Sequence, residues 1–453
     1  MFVGTNTIAK ADEKSNEKYN EKANEKPAYL FMEMGFQGNN ITPIKNGDDL
    51  NEKRLELIGS AKRSIYLSTF SISHDRIGKD IVSALCRKAK DGLEVRMIID
   101  HRANIDFFDT SLKLKDCGAV VIHYRPGDRW YAIHEKLLIV DGEKLIMGGS
   151  GYTSTYGIAR YESYTEEYQK LENIKHGWYD IDYLVEGMAA CSFHYQFQQN
   201  FKKMAMAVMD YNPDIWWYGW DNFLEIREKY YKLKKLSACS KSNQELRVGT
   251  MKALPLLGNP MLTKRRPILD AHLAAIEKSI QKAKALRLEG KEEKVKINLY
   301  GPYFVPGPKF SQALGKAAEA GVQVRIITNS LRSTDEGEMK KILFAGMVYS
   351  MEKALKKGVE IYLWNEKATL HRKGGVMGDY AFFGSDNLDN RAQEYQAESV
   401  LYTDDNSIVA DVNQDFERDL GHSIKLTPEV IKEVFSKTSW LNKWIARNFK
   451  KYF

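Results

Sequence analysis

The segments "AKDGLEVRMIID" (89–100) and "AEAGVQVRIITN" (318–329) lie over each other without a gap. Each is the end of an amphipathic helix, a stop at glycine (Gly92, Gly321) and a strand rich in aliphatic and β-branched residues. The flanking order repeats as well. "SIYLSTFSI", "GKDIVSALCRKAKDG" and "VVIHY" in the first half answer to "VKINLYGPYFVP", "GPKFSQALGKAAEAG" and "VEIYLW" in the second. Internal duplication is the simplest cause, and it confines the chain to a doubled, alternating α/β architecture.

The repeat also carries chemistry. "IHEKLLIVDGEKLIMGGS" (133–150) and "HRKGGVMGDYAFFGS" (371–385) occupy the same place in their halves, after the last strand of the repeat and ending at Gly-Ser. One His-x-Lys means little. Two copies at matching positions form a specific pattern. On an extended chain residues i and i+2 face the same side, so His134 projects with Lys136 and His371 with Lys373. If the halves pack about a pseudo-twofold axis, two imidazoles and two ammonium groups meet in one pocket. The cations suit a phosphoryl group and the charge it gains in a transition state. The imidazoles suit a nucleophile and a general acid, one neutral and one protonated.

Composition limits the rest. Of 453 residues, 43% are hydrophobic and 28% charged, which gives enough apolar mass for a sizeable core. The formal charge of +7 is modest for this length and chooses among no classes of anionic partner. Cys86, Cys117, Cys191 and Cys239 form no CxxC pair, which argues against a zinc knuckle; they read as reduced, structural thiols. No stretch has the apolar length of a membrane span, and no secretory signal is visible. The "NEK" repeats within 11–26 are polar throughout and cannot bury a core. The expected organisation is a polar, disordered tail (1–46), a first lobe (47–200), an aromatic and basic connector (201–265), a second lobe (266–425) and a basic amphipathic C-terminal helix (426–453). Trp216, Trp217 and Trp220 in the connector suit either a core or a membrane-contact belt. The C-terminal helix suits an anionic lipid surface or packing on its own domain.

His134-x-Lys136 with Asp141 five places on is similar to the HxKxxxxD signature of the phospholipase D superfamily. In the second half "GSDNLDNRAQEYQAE" resembles that family's GSxNxD block, with Ser385, Asn387 and Glu398 in the matching places. "WYDIDYLVEG" resembles the corresponding first-half block, with Asp180 in the acidic position. "YFVPG" and "TNSLRSTD" look like bacterial cardiolipin synthases and related phosphatidyltransferases. The resemblance implies two phospholipase D-like lobes, each a mixed sheet flanked by helices, about one shared active site. It implies a phospholipid phosphodiesterase or phosphatidyltransferase working through phosphohistidine, with His134 attacking phosphorus and His371 handling the alcohol proton. Glu398 and Asp180 would orient the imidazoles. Lys136, Lys373, Ser150, Ser385 and Asn387 would hold phosphate, and no metal or other cofactor is implied.

The chain departs from the pattern at two points. Five places after Lys373 stands Gly378, with Asp379 one later, and Gly151 stands where an asparagine is usual. Asp141 and Asp379 also have plain readings as turn residues, Glu398 as a solvated strand residue, and Ser150 and Ser385 as tight packing at strand ends. The other seven histidines are taken as structural. Rival readings are a nuclease of the same chemistry, made less apt by two lobes in one chain, and a membrane-binding scaffold that has lost activity. The expected setting is a cytoplasmic monomer, peripheral on membrane, with nucleic acid an improbable partner; export as an effector acting on host lipids stays open.

Overall fold

Runs of aliphatic and β-branched residues closed by glycine turns form the strands that the pattern predicts. The computed structural model describes residues 32–45, 47–124, 131–156, 177–210, 239 and 244–449. The first lobe opens with β1 (Phe36–Ile44), α1 (Gly47–Ser60), β2 (Ser64–Thr69), α2 (Arg76–Lys90), β3 (Glu94–Asp100), α3 (Phe108–Asp116) and β4 (Val120–Tyr124). It continues through β5 (Ala132–Ile133), β6 (Leu137–Val140), β7 (Lys144–Gly148), β8 (Trp178–Tyr179), β9 (Asp182–Glu186) and α4 (Met188–Asp210).

The second lobe repeats the plan. It runs through β10 (Met251–Gly258), α5 (Pro267–Leu288), β11 (Lys296–Tyr300), α6 (Pro308–Glu319), β12 (Gln323–Asn329), α7 (Lys340–Leu355) and β13 (Glu360–Trp364). Then follow β14 (Thr369–Leu370), β15 (Gly374–Met377), β16 (Tyr380–Gly384), α8 (Asn390–Tyr395), β17 (Gln396–Thr403) and α9 (Asn406–Leu420). The edge strand β18 (Ser423–Lys425) and the helices α10 (Pro428–Ser436) and α11 (Trp440–Phe449) end the described chain.

One mixed sheet crosses both lobes. From one edge the order is β4-β3-β2-β6-β7-β9-β1, and from the other, inside β18, it is β13-β12-β11-β15-β16-β17-β10. The two series are the same series. In each, three strands are parallel and the rest antiparallel. They meet where β1 pairs antiparallel with β10, which sets a pseudo-twofold axis at the centre of the sheet. Apolar packing is continuous across that axis: Tyr183 of the first lobe stacks on Phe383 of the second, within a core that also holds Ile133, Val376 and Ala397. The lobes share a core and are not separate globules on a tether.

The expected boundaries shift in three places. Residues 36–44, assigned above to the tail, are β1; Ile41 and Ile44 are buried, so the first lobe reaches back to about Phe36. Residues 251–258, assigned to the connector, are β10, the second-lobe counterpart of β1. The C-terminal segment is two short helices, because Lys437, Thr438 and Ser439 separate α10 from α11. The "NEK" repeats and Trp216, Trp217 and Trp220 lie outside the described residues.

The cysteine reading is corrected. Cys86 on α2 pairs with Cys117 just past α3, and Cys191 on α4 pairs with Cys239, with Cα separations of 5.2 and 5.8 Å. Distance along the chain hid the pairs; α2 and α3 lie side by side, and separation in sequence says nothing of separation in space. No helix among the described residues is long and apolar enough to cross a membrane.

Candidate active site

Each His-x-Lys sits where the chain leaves a two-residue strand paired with the other lobe and enters its own lobe's sheet. Ala132 and Ile133 pair in parallel with Gln396 and Ala397 of β17, and the His134 N–H donates to the Ala397 carbonyl at 2.9 Å. Three residues later β6 has joined the first-lobe sheet beside β2. The second copy mirrors this. Thr369 and Leu370 pair with Trp178 and Tyr179 of β8, and the His371 N–H donates to the Tyr179 carbonyl at 2.8 Å. The exchange puts each histidine beside an acidic residue of the opposite lobe.

His134 Nδ1 lies 2.8 Å from Glu398 Oε1, and His371 Nδ1 lies 2.8 Å from Asp180 Oδ2. A carboxylate facing Nδ1 favours the tautomer with the hydrogen there, which leaves Nε2 of each ring for chemistry; at His371 the Lys373 Nζ also lies 2.6 Å from Nδ1. Lys136 Nζ donates to the His134 carbonyl at 2.6 Å, and Lys373 Nζ lies 3.9 Å from Asp180. His134, Lys136, His371, Lys373 and Glu398 are all buried, as is the Asp180 side chain.

Burial dominates the electrostatics. It pushes Lys136 down to about 7 and Lys373 down to about 8. It pushes Asp180 up to about 6, and Glu398 well above the usual carboxylate range. Both imidazoles fall well below the ordinary histidine value, first through burial and then through the two lysines. Two partly neutralised cations and two imidazoles short of protons form a pocket that gains charge on meeting an anion.

The hairpin registers place the remaining candidates. Gly148 pairs with Asp182 and Gly384 with Val400, so Gly149 stands where Ser385 stands, and Gly151 where Asn387 stands. The Ser385 hydroxyl donates to Glu398, supporting the carboxylate that holds His134. Asn387 is buried, and its side-chain oxygen has no partner among the described residues. Ser150 is displaced from the expected phosphate contact: its hydroxyl donates to Asp182 and its carbonyl accepts from Arg54. At Gly149 a Cβ would lie 2.3 Å from Asp180 Oδ2, so the shorter Asp180 approaches the backbone where Glu398 has a serine.

Neither turn aspartate reaches the pocket. Asp141 accepts from the N–H groups of Lys62, Arg63 and Ser64 at 2.9, 2.8 and 2.9 Å, tying the β6–β7 hairpin to the start of β2. Its loop spans three residues, Asp141 to Glu143, because Val140 pairs with Lys144. The second hairpin pairs Met377 with Tyr380 and has a turn of two, so no residue occupies the equivalent place. Asp379 instead pairs with Lys282 at 2.5 Å at the surface.

Residues not anticipated from sequence surround His371. Trp178 stacks on its ring (4.9 Å between centroids, 13° between planes), and Tyr156 meets it edge-on at 5.3 Å. Among the described residues His134 has the edge of Phe70 at 5.1 Å and no stacked ring. A tryptophan two places before the acidic Asp180 was the available signal. The residues between each His and Lys turn away from the pocket: Glu135 accepts from Ser68, and Arg372 pairs with Asp415 at 3.1 Å. Among the described residues no cluster of three or more His, Cys, Asp or Glu side chains is set to hold a metal ion.

A family profile described as "cardiolipin synthase, PLD-like domain" matches residues 55–172 and 291–420. The chain is 26% identical over 398 residues to cardiolipin synthase 1 of Bacillus cereus, covering 84% of this chain and 67% of that one. It is 26% identical over 424 residues to cardiolipin synthase of Clostridium perfringens, covering 90% and 75%. The crystal structure of phosphatidylserine synthase from Haemophilus influenzae superposes with a TM-score of 0.65 at 16% identity, covering 97% of this chain and all of that one, a likeness of fold.

Proposed function

The chain belongs to the cardiolipin synthase, PLD-like domain family, and from that premise we propose that it is a phosphatidyltransferase working through a phosphohistidine. The observation that carries the reading is the crossed pairing of each imidazole Nδ1 with a carboxylate of the other lobe. His134 is the nucleophile: buried among cations, it is neutral at physiological pH. Its Nε2 attacks the phosphodiester phosphorus, a P–N bond forms, and the P–O bond to the leaving alcohol breaks. Glu398 stabilises the positive charge left on the ring, and the Ser385 hydroxyl holds Glu398 in place.

His371 gives its Nε2 proton to the leaving alkoxide. It then takes a proton from the incoming alcohol, whose oxygen attacks phosphorus and releases His134. The phosphodiester's own charge supplies what the empty pocket lacks. Between Lys136 and Lys373 it raises both lysines and favours a protonated His371. The buried Asn387 oxygen, without a partner among the described residues, supports a role for Asn387 in holding substrate. The names of the relatives support lipid over nucleic acid as substrate.

The test is product analysis with labelled phosphatidylglycerol. The wild-type chain is expected to give cardiolipin and free glycerol, and His134→Ala to give neither. Turnover by His134→Ala at the wild-type rate removes the mechanism. Phosphatidic acid as the sole product would assign hydrolysis in place of transfer.

A further inference from the structure

Helix α11 is amphipathic in a way its own fold does not use up. Ala446 is fully buried against Ile342 and Ala345 of α7, with Ile445 packed beside them. Arg447 lies over the Tyr349 ring of α7, and Lys443 over the Phe435 ring of α10. One side of the helix is therefore seated. The other side holds Trp440, Leu441 and Trp444, which are 75%, 48% and 50% exposed. Soluble surfaces carry single apolar residues without meaning, but two tryptophans and a leucine within five residues form a patch.

Charge identifies what covers the patch. From Thr438 to Phe453 the chain has four cations (Lys443, Arg447, Lys450, Lys451) and no carboxylate. The tryptophans have an apolar body and one N–H, the type of side chain that rests at the boundary of hydrocarbon and headgroup. Four cations without a carboxylate, set beside an apolar and aromatic patch, match an anionic headgroup layer over hydrocarbon. Helix α7 connects this patch with the catalytic lobe. The helix that seats α11 also gives Lys340, Leu343, Phe344 and Met347 to a cleft lined by Tyr303, and the Tyr303 ring lies 6.4 Å from that of His371.

We propose that α11 docks the protein on anionic phospholipid bilayers, with Trp440, Leu441 and Trp444 entering the headgroup boundary and Lys443 and Arg447 beside them meeting lipid phosphates. The proposal stands without the phosphatidyl-transfer reading, since binding is measured apart from turnover.

The experiment is co-sedimentation of the full chain with vesicles of phosphatidylcholine, with and without phosphatidylserine, at low and high salt. Binding is expected to require phosphatidylserine and to weaken with salt. Trp440→Ser with Trp444→Ser should lower the affinity by about tenfold or more, and Arg447→Gln by about fivefold. The double variant should keep wild-type activity on detergent-dispersed substrate. Equal binding to both vesicle types, or unchanged binding by the double variant, overturns the proposal. So does a dimer that the double variant abolishes while vesicle binding persists. If the serine variant does not melt cooperatively, quenching by brominated phosphatidylserine decides. Quenching lost on Trp440→Phe with Trp444→Phe supports insertion, and quenching unchanged by those replacements refutes it.

Discussion

His371 is held by Asp180 at Nδ1 and by the face of Trp178 against its ring. Both contacts favour the imidazolium, the form a general acid needs, against burial and two lysines that oppose it. On the proposed mechanism Trp178 positions His371, and that role has a measurable signature. Trp178→Leu should move the basic limb of the pH profile of kcat/KM to lower pH by about 0.5–1.5 units, while Trp178→Phe recovers part of the shift. An unmoved limb with a reduced rate would mean that the ring only packs. His371→Ala should lower kcat by about 10²–10⁴-fold, an effect read with a natural alcohol as leaving group. The lysines give a second pH signature. Both are depressed, so they lose charge as pH rises through about 7 and about 8 in the empty pocket. Bound anion raises those values, so the affinity for inorganic phosphate should weaken steadily above neutrality. An inhibition constant for phosphate that stays flat from pH 6 to about 9 would remove the lysines from the anion site.

At the scale of elements, the two hairpins after the lysines separate a supporting aspartate from a surface one. Asp141 is buried and gathers three backbone N–H donors, and removing it leaves them without an acceptor. Asp141→Ala should cost about 1–3 kcal/mol or more of stability, read as a lowered Tm, with kcat kept in the folded fraction. Asp379→Ala, at an exposed ion pair, should change stability by less than about 1 kcal/mol. The sequence already contained much of this. The helix–glycine–strand repeat announced the duplicated sheet, and the paired His-x-Lys announced the pocket. The carboxylate partners came from the resemblance of their blocks. What stayed hidden was set by register and by contact between distant segments. A turn shortened by one residue moved Asp379 to the surface, and Gly149, not Ser150, took the place of Ser385. The disulfide partners lie 31 and 48 residues apart, and periodicity carries no trace of such pairings. β1 and β10 escaped notice because Asn39, Pro43 and Pro255 interrupt the strand pattern.

Over the whole molecule, duplication does more than double the sheet. Each lobe supplies the carboxylate that faces the other lobe's histidine, and the two residues leading into each His-x-Lys pair with a strand of the opposite lobe. One lobe alone keeps a histidine without its acid and an apolar face, including Tyr183 or Phe383, without its cover. The active site is therefore a property of the intact pair. On the proposed mechanism phosphorus passes through His134, with His371 serving the alcohol side. A phosphatidyl ester of p-nitrophenol tests this most directly, because its leaving group needs no acid. With His371→Ala, a burst of one nitrophenolate per chain is predicted, together with an acid-labile phosphatidyl adduct on the peptide that contains His134. Steady release without a burst, or an adduct on any other residue, would contradict the account.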